Sequence, residues 1–156
     1  MGAPICWPDP LPREVCCLPG ACIRDVTKRL PNLIQSIDYY LLLLFHVGTS
    51  DTARSGLRSV QKVYRTLGVA ARHSGIQVVF SSVLPVKVKR LERTSRIWQI
   101  NKWLQDSCHI QGFSYLGHAT HFEKPDLLTA DEVHLSKQGK SIFGHRLAKL
   151  VKRALN

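Results

Sequence analysis

Short apolar runs alternate with longer amphipathic stretches along most of this sequence. Runs of strand length occur in Glu14–Leu18, Leu41–Val47, Ile76–Val83 and Phe113–Leu116, and we predict that each is a β-strand. The longer runs are apolar throughout instead of alternating with polar residues. That pattern is typical of strands in a parallel sheet that is covered on both faces.

Four other stretches repeat their apolar residues with the period of an α-helix. The first helix is predicted within Ala21–Ile37, where Pro31 either kinks the helix or begins a second one. Two more helices follow from the apolar stripes of Leu57–Ala71 and Ile97–Cys108. The second of them comes after a basic linker that we predict from Pro85 to Arg93. Ser136 can cap a final helix through its side chain.

The alternation of strands and helices predicts one α/β domain with helices on both sides of a parallel sheet. The 156 residues suit a single core, with a proline-rich irregular segment at 1–12 and the domain at 13–156. No apolar run approaches the ~20 residues that a membrane span needs. The start of the sequence also lacks the basic and apolar regions of a signal peptide, so we expect a cytoplasmic or nuclear protein.

The formal net charge of +11 is large for this length. One interpretation is a solvated basic surface, and the other is attraction to the phosphates of RNA or of an acidic membrane. No aromatic residues alternate with these charges, so we do not expect reading of a base sequence. Many of the cations fall in two clusters: Lys87, Lys89, Arg90, Arg93 and Arg96, and then Lys137, Lys140, Arg146, Lys149, Lys152 and Arg153.

Neither the cysteines nor the histidines have the paired spacing of a metal site. His118 and His121 could hold a metal together, but no third ligand is suitably spaced, so we interpret them as loop histidines. We therefore predict no metal and no cofactor. The cysteines are interpreted as mainly buried thiols, with a metal site as the less favoured alternative: Cys6, Cys16, Cys17, Cys22 and Cys108.

Candidate chemistry lies in the loops that follow the predicted strands, because ligands of open parallel sheets bind beyond the carboxyl ends of the strands. Gly20 follows the first strand and Gly48-Thr49-Ser50-Asp51 follows the second. In Asp131-Glu132-Val133-His134, the aspartate can accept from the ring N–H and leave the other nitrogen as a base. The alternative for His134 is a loop histidine beside a helix start. The alternative for Gly48–Asp51 is a turn whose Ser or Asp caps the next helix.

Taken in order, these blocks resemble three blocks of the SGNH (GDSL-type) hydrolase family. Four longer segments are similar, within that family, to the esterase domain of the first open-reading-frame protein of vertebrate LINE-type retrotransposons. The resemblance covers the sequence from about Pro4 onward. The segments are REVCCLPGACIRDVTKRLP, LLLLFHVGTSDTA, QVVFSSVLPV and ADEVHLSKQGK…LAKLVKRALN.

The resemblance implies a flavodoxin-like three-layer α/β/α sandwich and hydrolysis of carboxylic esters. It implies that His134 is the base, that Asp131 orients it, and that Gly20 donates to the oxyanion. Gly48 and Ser50 belong to the block that supplies a further donor, where the family has asparagine at the position of Ser50. The loss of one such donor typically lowers turnover by ~10²–10³.

The family's nucleophilic serine has no counterpart in this sequence. It lies on the first strand, which precedes the point where this sequence begins, and no serine occurs before Arg13. We therefore expect an esterase-like domain that is catalytically impaired. We also expect instability or aggregation unless a partner strand or a rearranged N-terminus fills the gap, because the two neighbouring strands would expose unpaired backbone groups. The alternative is a noncatalytic basic module that binds RNA, an acidic membrane or itself.

Overall fold

A computed structural model describes residue 16 and residues 18–35, 42–86, 91–118 and 135–155. Its elements confirm the predicted alternation of strands and helices. In chain order they are α1 (Ile23–Gln35), β1 (Leu42–Phe45), α2 (Thr49–Arg54), α3 (Leu57–Arg72), β2 (Gln77–Ser81), α4 (Leu91–Gln111), β3 (Ser114–Leu116) and α5 (Lys137–Leu155).

The three described strands form one parallel sheet in the order β1-β2-β3. Leu42 is in register with Gln77, and Val79 is in register with Ser114. Each strand is connected to the next through helices, as parallel pairing requires. The predicted α/β class is confirmed.

Helices cover both faces of the sheet. On one face, α1, α3 and α4 pack on alternate strand residues such as Phe45 and Phe80. On the other face, α5 places Phe143 and Leu147 against Leu44 and against residues that follow β2 and lie in β3. The apolar strands predicted from the sequence are therefore sandwiched between two layers of helix.

One alternative and two local predictions need correction. Pro31 does not begin a second helix, because α1 runs through it as one helix; a proline inside a helix removes an N–H donor without always ending the helix. The loop predicted at Gly48–Asp51 already contains the first turn of α2. The basic linker predicted to extend to Arg93 ends earlier, because α4 begins at Leu91.

Two further predictions concern the ends of the described segments. Most of the strand predicted at Glu14–Leu18 lies outside the described residues, and the described Cys16 and Leu18 are in no strand. The predicted cap of the last helix is confirmed, because the Gly139 N–H donates to Ser136 Oγ at 3.1 Å. Among the described helices, none has the length and apolarity needed to cross a membrane.

Candidate functional site

Gly48 makes the turn at the carboxyl end of β1, and it is a position that only glycine fits. Its φ of 112° lies in the left-handed region, and a side chain at this position would point at the hydroxyl end of Tyr64. A Cβ at this position would collide with Tyr64 Oη and would lie 2.9 Å from Val83 Cγ2. Tyr64 Oη donates to the Val47 carbonyl at 2.8 Å, which holds the turn against α3.

Asp51 joins this turn to the start of α1. Its Oδ2 accepts from the Ile23 N–H at 3.0 Å, inside the protein. Ile23 is the first residue of α1, so the carboxylate satisfies a helix N–H that has no partner within the helix. Burial raises the pKa of Asp51 above its usual value, and the hydrogen bond from Ile23 opposes that rise.

The alternative interpretation of this block, a Ser or Asp that caps the next helix, is wrong. The cap residue of α2 is Gly48 and that of α3 is Gly56, and neither helix start has a side-chain cap. Asp51 instead caps α1, which lies 28 residues earlier in the sequence. A cap of this kind has no local sequence signature.

Three of the predicted site residues face one groove. Gly20, Gly48 and Ser50 line it together with the residues of β1, and its volume is about 360 Å³. Gly20 has a φ of 71°, as expected of a glycine in a turn before a helix. The predicted Asp131 and His134 lie outside the described residues.

A row of hydrogen-bonded polar side chains beside this groove was not predicted from the sequence. Arg146 Nε on α5 donates to His118 Nδ1 at 3.2 Å, and His118 Nε2 lies 2.7 Å from Ser81 Oγ. The same hydroxyl lies 3.0 Å from Nδ1 of His46, which follows β1. Ser81 is the last residue of β2. This row of side chains therefore runs from α5 across the carboxyl ends of the strands to His46.

The partners set the direction of these hydrogen bonds. Because His118 Nδ1 accepts from Arg146, a neutral His118 carries its proton on Nε2 and donates to Ser81. Ser81 then donates to His46 Nδ1, so His46 carries its proton on Nε2. His46 as a whole is exposed at the groove, yet desolvation by the protein around its ring lowers its pKa to about 4.

This arrangement does not make Ser81 a nucleophile. The hydroxyl is 1% exposed, so a substrate carbonyl could not reach it. Its proton is directed to His46, whose lowered pKa makes the imidazole a weak base near neutral pH. We interpret this row of side chains as a polar connection between the sheet and α5, buried at Ser81 and His118. The sequence offered one hint of it, the two serines at the end of an apolar strand.

His118 lies in the loop after β3, as predicted. It is nevertheless fully buried, and its two ring nitrogens contact Ser81 and Arg146. Across the described part of the chain, no group of three or more potential metal ligands occurs.

Solved structures with the same fold were found by comparison. A GDSL-like lipase from Bacteroides thetaiotaomicron has a TM-score of 0.75 and 16% identity, over 86% of this chain and 73% of that chain. A lipolytic protein of the G-D-S-L family from Veillonella parvula has a TM-score of 0.76 and 13% identity, over 86% of this chain and 76% of that chain. At these identities the similarity shows the fold.

A third structure is more similar in sequence. The esterase domain of the ZfL2-1 ORF1 protein, from the zebrafish ZfL2-1 retrotransposon, is 27% identical over 87% of this chain and 85% of that chain, with a TM-score of 0.59. No family model and no curated protein matches the sequence. The resemblance inferred from the sequence is confirmed: the chain has the fold of the SGNH (GDSL-type) hydrolases and is similar to a retrotransposon esterase domain.

Proposed function

We propose that this chain is the scaffold of an SGNH-type carboxylic-ester hydrolase, with its ester site at the carboxyl end of β1. The observation that carries the proposal is the meeting of Gly20, Gly48 and Ser50 on one groove. These are the residues that the family resemblance assigns to the oxyanion and substrate side of the site. Asp51 holds the two segments together through its bond to Ile23.

The proposed roles follow the resemblance residue by residue. The backbone N–H of Gly20 donates to the developing oxyanion, and Ser50 offers a hydroxyl where the family has an amide. His134 acts as the base and Asp131 orients its ring. A hydroxyl on a shorter arm reaches less far than an amide, so we expect weaker stabilisation of the oxyanion.

We further propose that the polypeptide of the printed sequence, taken alone, hydrolyses esters poorly or not at all. No serine precedes Arg13, where the family's nucleophile would be expected. The hydroxyl that the structure places between two imidazoles, Ser81, is buried and is not activated. In a chain without that family serine, attack by water with His134 as a general base is the route we propose.

Hydrolysis of p-nitrophenyl acetate and butyrate tests this impairment, with the purified chain compared with its His134→Ala variant. We expect both proteins to hydrolyse the esters at a rate close to that measured without protein. A substantial turnover that His134→Ala abolishes would contradict the impairment and establish an active site.

The location of the site is tested separately, by titrating the chain with butyrate and following backbone amide signals by NMR. We expect the largest shifts at Gly20, Gly48 and Ser50. Shifts confined to other parts of the chain would show that the groove is not the acyl site, whatever the hydrolysis assay gives.

A specific observation favours a second candidate, a basic module that binds RNA. The helix α3 has no Asp or Glu, and its exposed cations share one face: Arg58, Lys62, Arg65 and Arg72. The Arg65 guanidinium lies 5.3 Å from the ring centroid of Trp103, a contact that holds this cation in place on α3.

Single-stranded RNA binding, followed by fluorescence anisotropy over a range of salt, tests this candidate. We expect the affinity to fall as salt rises, and to fall further in the Arg58→Glu/Lys62→Glu variant than in Lys28→Glu/Arg29→Glu, which makes the same change of charge on α1. Affinity that is independent of salt, or equal losses in both variants, would reject α3 as the RNA surface. Preference for acidic lipid vesicles over RNA would favour a membrane instead.

A further inference from the structure

Two arginines of α4 donate to backbone carbonyls of α2, and a structural role accounts for only one of them. Arg96 Nη1 donates to the Thr52 carbonyl at 3.0 Å and to the Ser55 carbonyl at 3.2 Å, at the end of α2. Carbonyls at the end of a helix lack partners within the helix, so Arg96 satisfies them and joins α2 to α4. The contacts of Arg93 have no explanation of this kind.

Arg93 is poorly satisfied in the position where it lies. Its hydrogen bond from Nη2 to the Thr49 carbonyl is long, at 3.3 Å. Its Nε–H is buried and has no hydrogen-bond partner among the described residues. A buried donor without an acceptor is costly, and in a native protein it calls for an explanation such as a bound ion.

No described carboxylate balances the charge of Arg93. Among the described residues the one ion pair joins Lys102 to Asp106, so neither Arg93 nor Arg96 has a carboxylate partner there. Burial lowers the pKa of Arg93, and the neighbouring charge of Arg96 lowers it further, but an arginine keeps its proton in proteins. Two neighbouring cations attract an anion, and a phosphate monoester with its charge of about −2 is attracted more strongly than a carboxylate.

The position of Arg93 connects it to the proposed ester site. Its hydrogen bond is to Thr49, which lines the groove between Gly48 and Ser50. The Arg93 side chain is only partly buried, so a small outward turn of its guanidinium would bring Nε to the surface. That turn would replace one long hydrogen bond by two charge-assisted bonds to an anion, from Nε and from one Nη.

We propose that Arg93, with the charge of Arg96 beside it, binds a phosphate group next to the groove and thereby selects ester substrates that carry a phosphate. The binding of phosphate requires only the arginines, whereas the selection of esters rests on the proposed ester site. The phosphate group can belong to a soluble phosphate monoester or to a lipid headgroup. Soluble and vesicle-bound probes separate these two sources.

NMR of the arginine Nε–H signals in the full native chain tests the phosphate site. Inorganic phosphate is titrated at constant ionic strength, with sodium chloride as the matched control. We expect phosphate, but not chloride, to shift the Arg93 signal and to slow its exchange with water at least tenfold. Backbone amide shifts should show about tenfold weaker phosphate binding in Arg93→Gln. Arg153→Gln makes the same change of charge at an exposed residue of α5, on the other face of the sheet, and should bind phosphate like the native chain.

A matched pair of esters, monobutyryl glycerol and monobutyryl glycerol phosphate, tests the selection of substrate. Each is titrated while the amide signals of Gly48 and Ser50 are followed. We expect the phosphate ester to bind at least tenfold more tightly to the native chain and to Arg153→Gln, but no more tightly than the other ester to Arg93→Gln. A lipid source predicts instead that this preference appears only for phosphatidylcholine vesicles that contain phosphatidic acid, and that Arg93→Gln abolishes it.

The other results overturn the inference. Equal responses of the Arg93 Nε–H to phosphate and chloride, or no response, would show that Arg93 is not a phosphate site. Equal losses in Arg93→Gln and Arg153→Gln would mean that the overall charge attracts the anion. Equal binding of both esters at the groove would refute the selection of phosphate and leave the proposed ester site standing. If neither ester shifts Gly48 and Ser50, the ester site is refuted, and the selection of substrate with it.

Discussion

At the end of β1, the backbone of Gly48 passes so close to Tyr64 that no side chain fits between them. We predict that Gly48→Ala lowers the free energy of unfolding by about 2–4 kcal/mol. The new methyl group would strain a backbone at φ 112° and would displace the Tyr64 hydroxyl from the Val47 carbonyl. Urea unfolding measures the effect. Gly56→Ala is the control, because a Cβ at Gly56 meets no atom within 4 Å. Equal losses in the two variants would contradict this explanation.

His46 should remain neutral well below the usual range of an imidazole. Desolvation lowers its pKa in the folded state from the usual 6.5 to about 4, so the unfolded chain binds this proton more readily. The stability that His46 contributes is therefore present above pH 6.5 and is lost as the pH falls towards 4. NMR titration of the ring, together with unfolding of the native chain and of His46→Gln, checks this prediction. Titration near 6.5, or an equal loss of stability in both proteins over this range, would contradict it.

The beginning of α1 depends on a carboxylate from another element. We predict that Asp51→Ala lowers the free energy of unfolding by about 1–3 kcal/mol, because the buried Ile23 N–H would lose its acceptor. Asp51→Asn, which keeps an acceptor oxygen, should lose less. Hydrogen exchange at Ile23 should become faster in the alanine variant.

Asp106→Ala is the control for Asp51→Ala. Asp106 pairs with Lys102 within α4 at 3.6 Å, and both side chains are largely exposed, so we expect its removal to change stability by less than about 0.5 kcal/mol. A similar loss in Asp51→Ala and Asp106→Ala would show that the contact between α2 and α1 does not anchor α1.

The whole molecule should associate through the edge of β1 that has no neighbouring strand among the described residues. An apolar strand edge is a template for pairing with other chains, so we predict aggregation that increases with protein concentration. Light scattering over a range of protein concentrations, together with thermal unfolding, measures this effect. A soluble monomer with a cooperative transition at high concentration would refute the prediction.

Local sequence patterns were sufficient for most of the elements. The apolar run before Gly48 predicted β1, and the helical stripe from Leu57 to Ala71 predicted α3. The cap of α5 by Ser136 was also predictable, because the donor and the acceptor lie three residues apart. The spacing of apolar residues and the capping of a helix both depend on residues that are close together along the chain. The sequence alone therefore shows them.

The positions of Gly20, Gly48 and Ser50 on one groove were anticipated from a topological rule and a family resemblance. Ligands bind beyond the carboxyl ends of parallel strands, so this rule predicts that the loops at those ends lie close together, whatever their side chains are. The two residues predicted to act as base and orienter, His134 and Asp131, fall outside the described residues, so their roles stay predictions.

The polar contacts across the fold were decided only by the tertiary structure. Ser81 meets His46 across 35 residues and His118 across 37, and Asp51 meets Ile23 across 28. Each side chain has an ordinary local interpretation, as a strand end, a loop or a cap. Which interpretation holds depends on the strand register and on how helices pack against the sheet. The sequence by itself determined the elements and their alternation, because these follow from short-range periodicity. The partners of the buried polar groups follow from distances in space that no short pattern records.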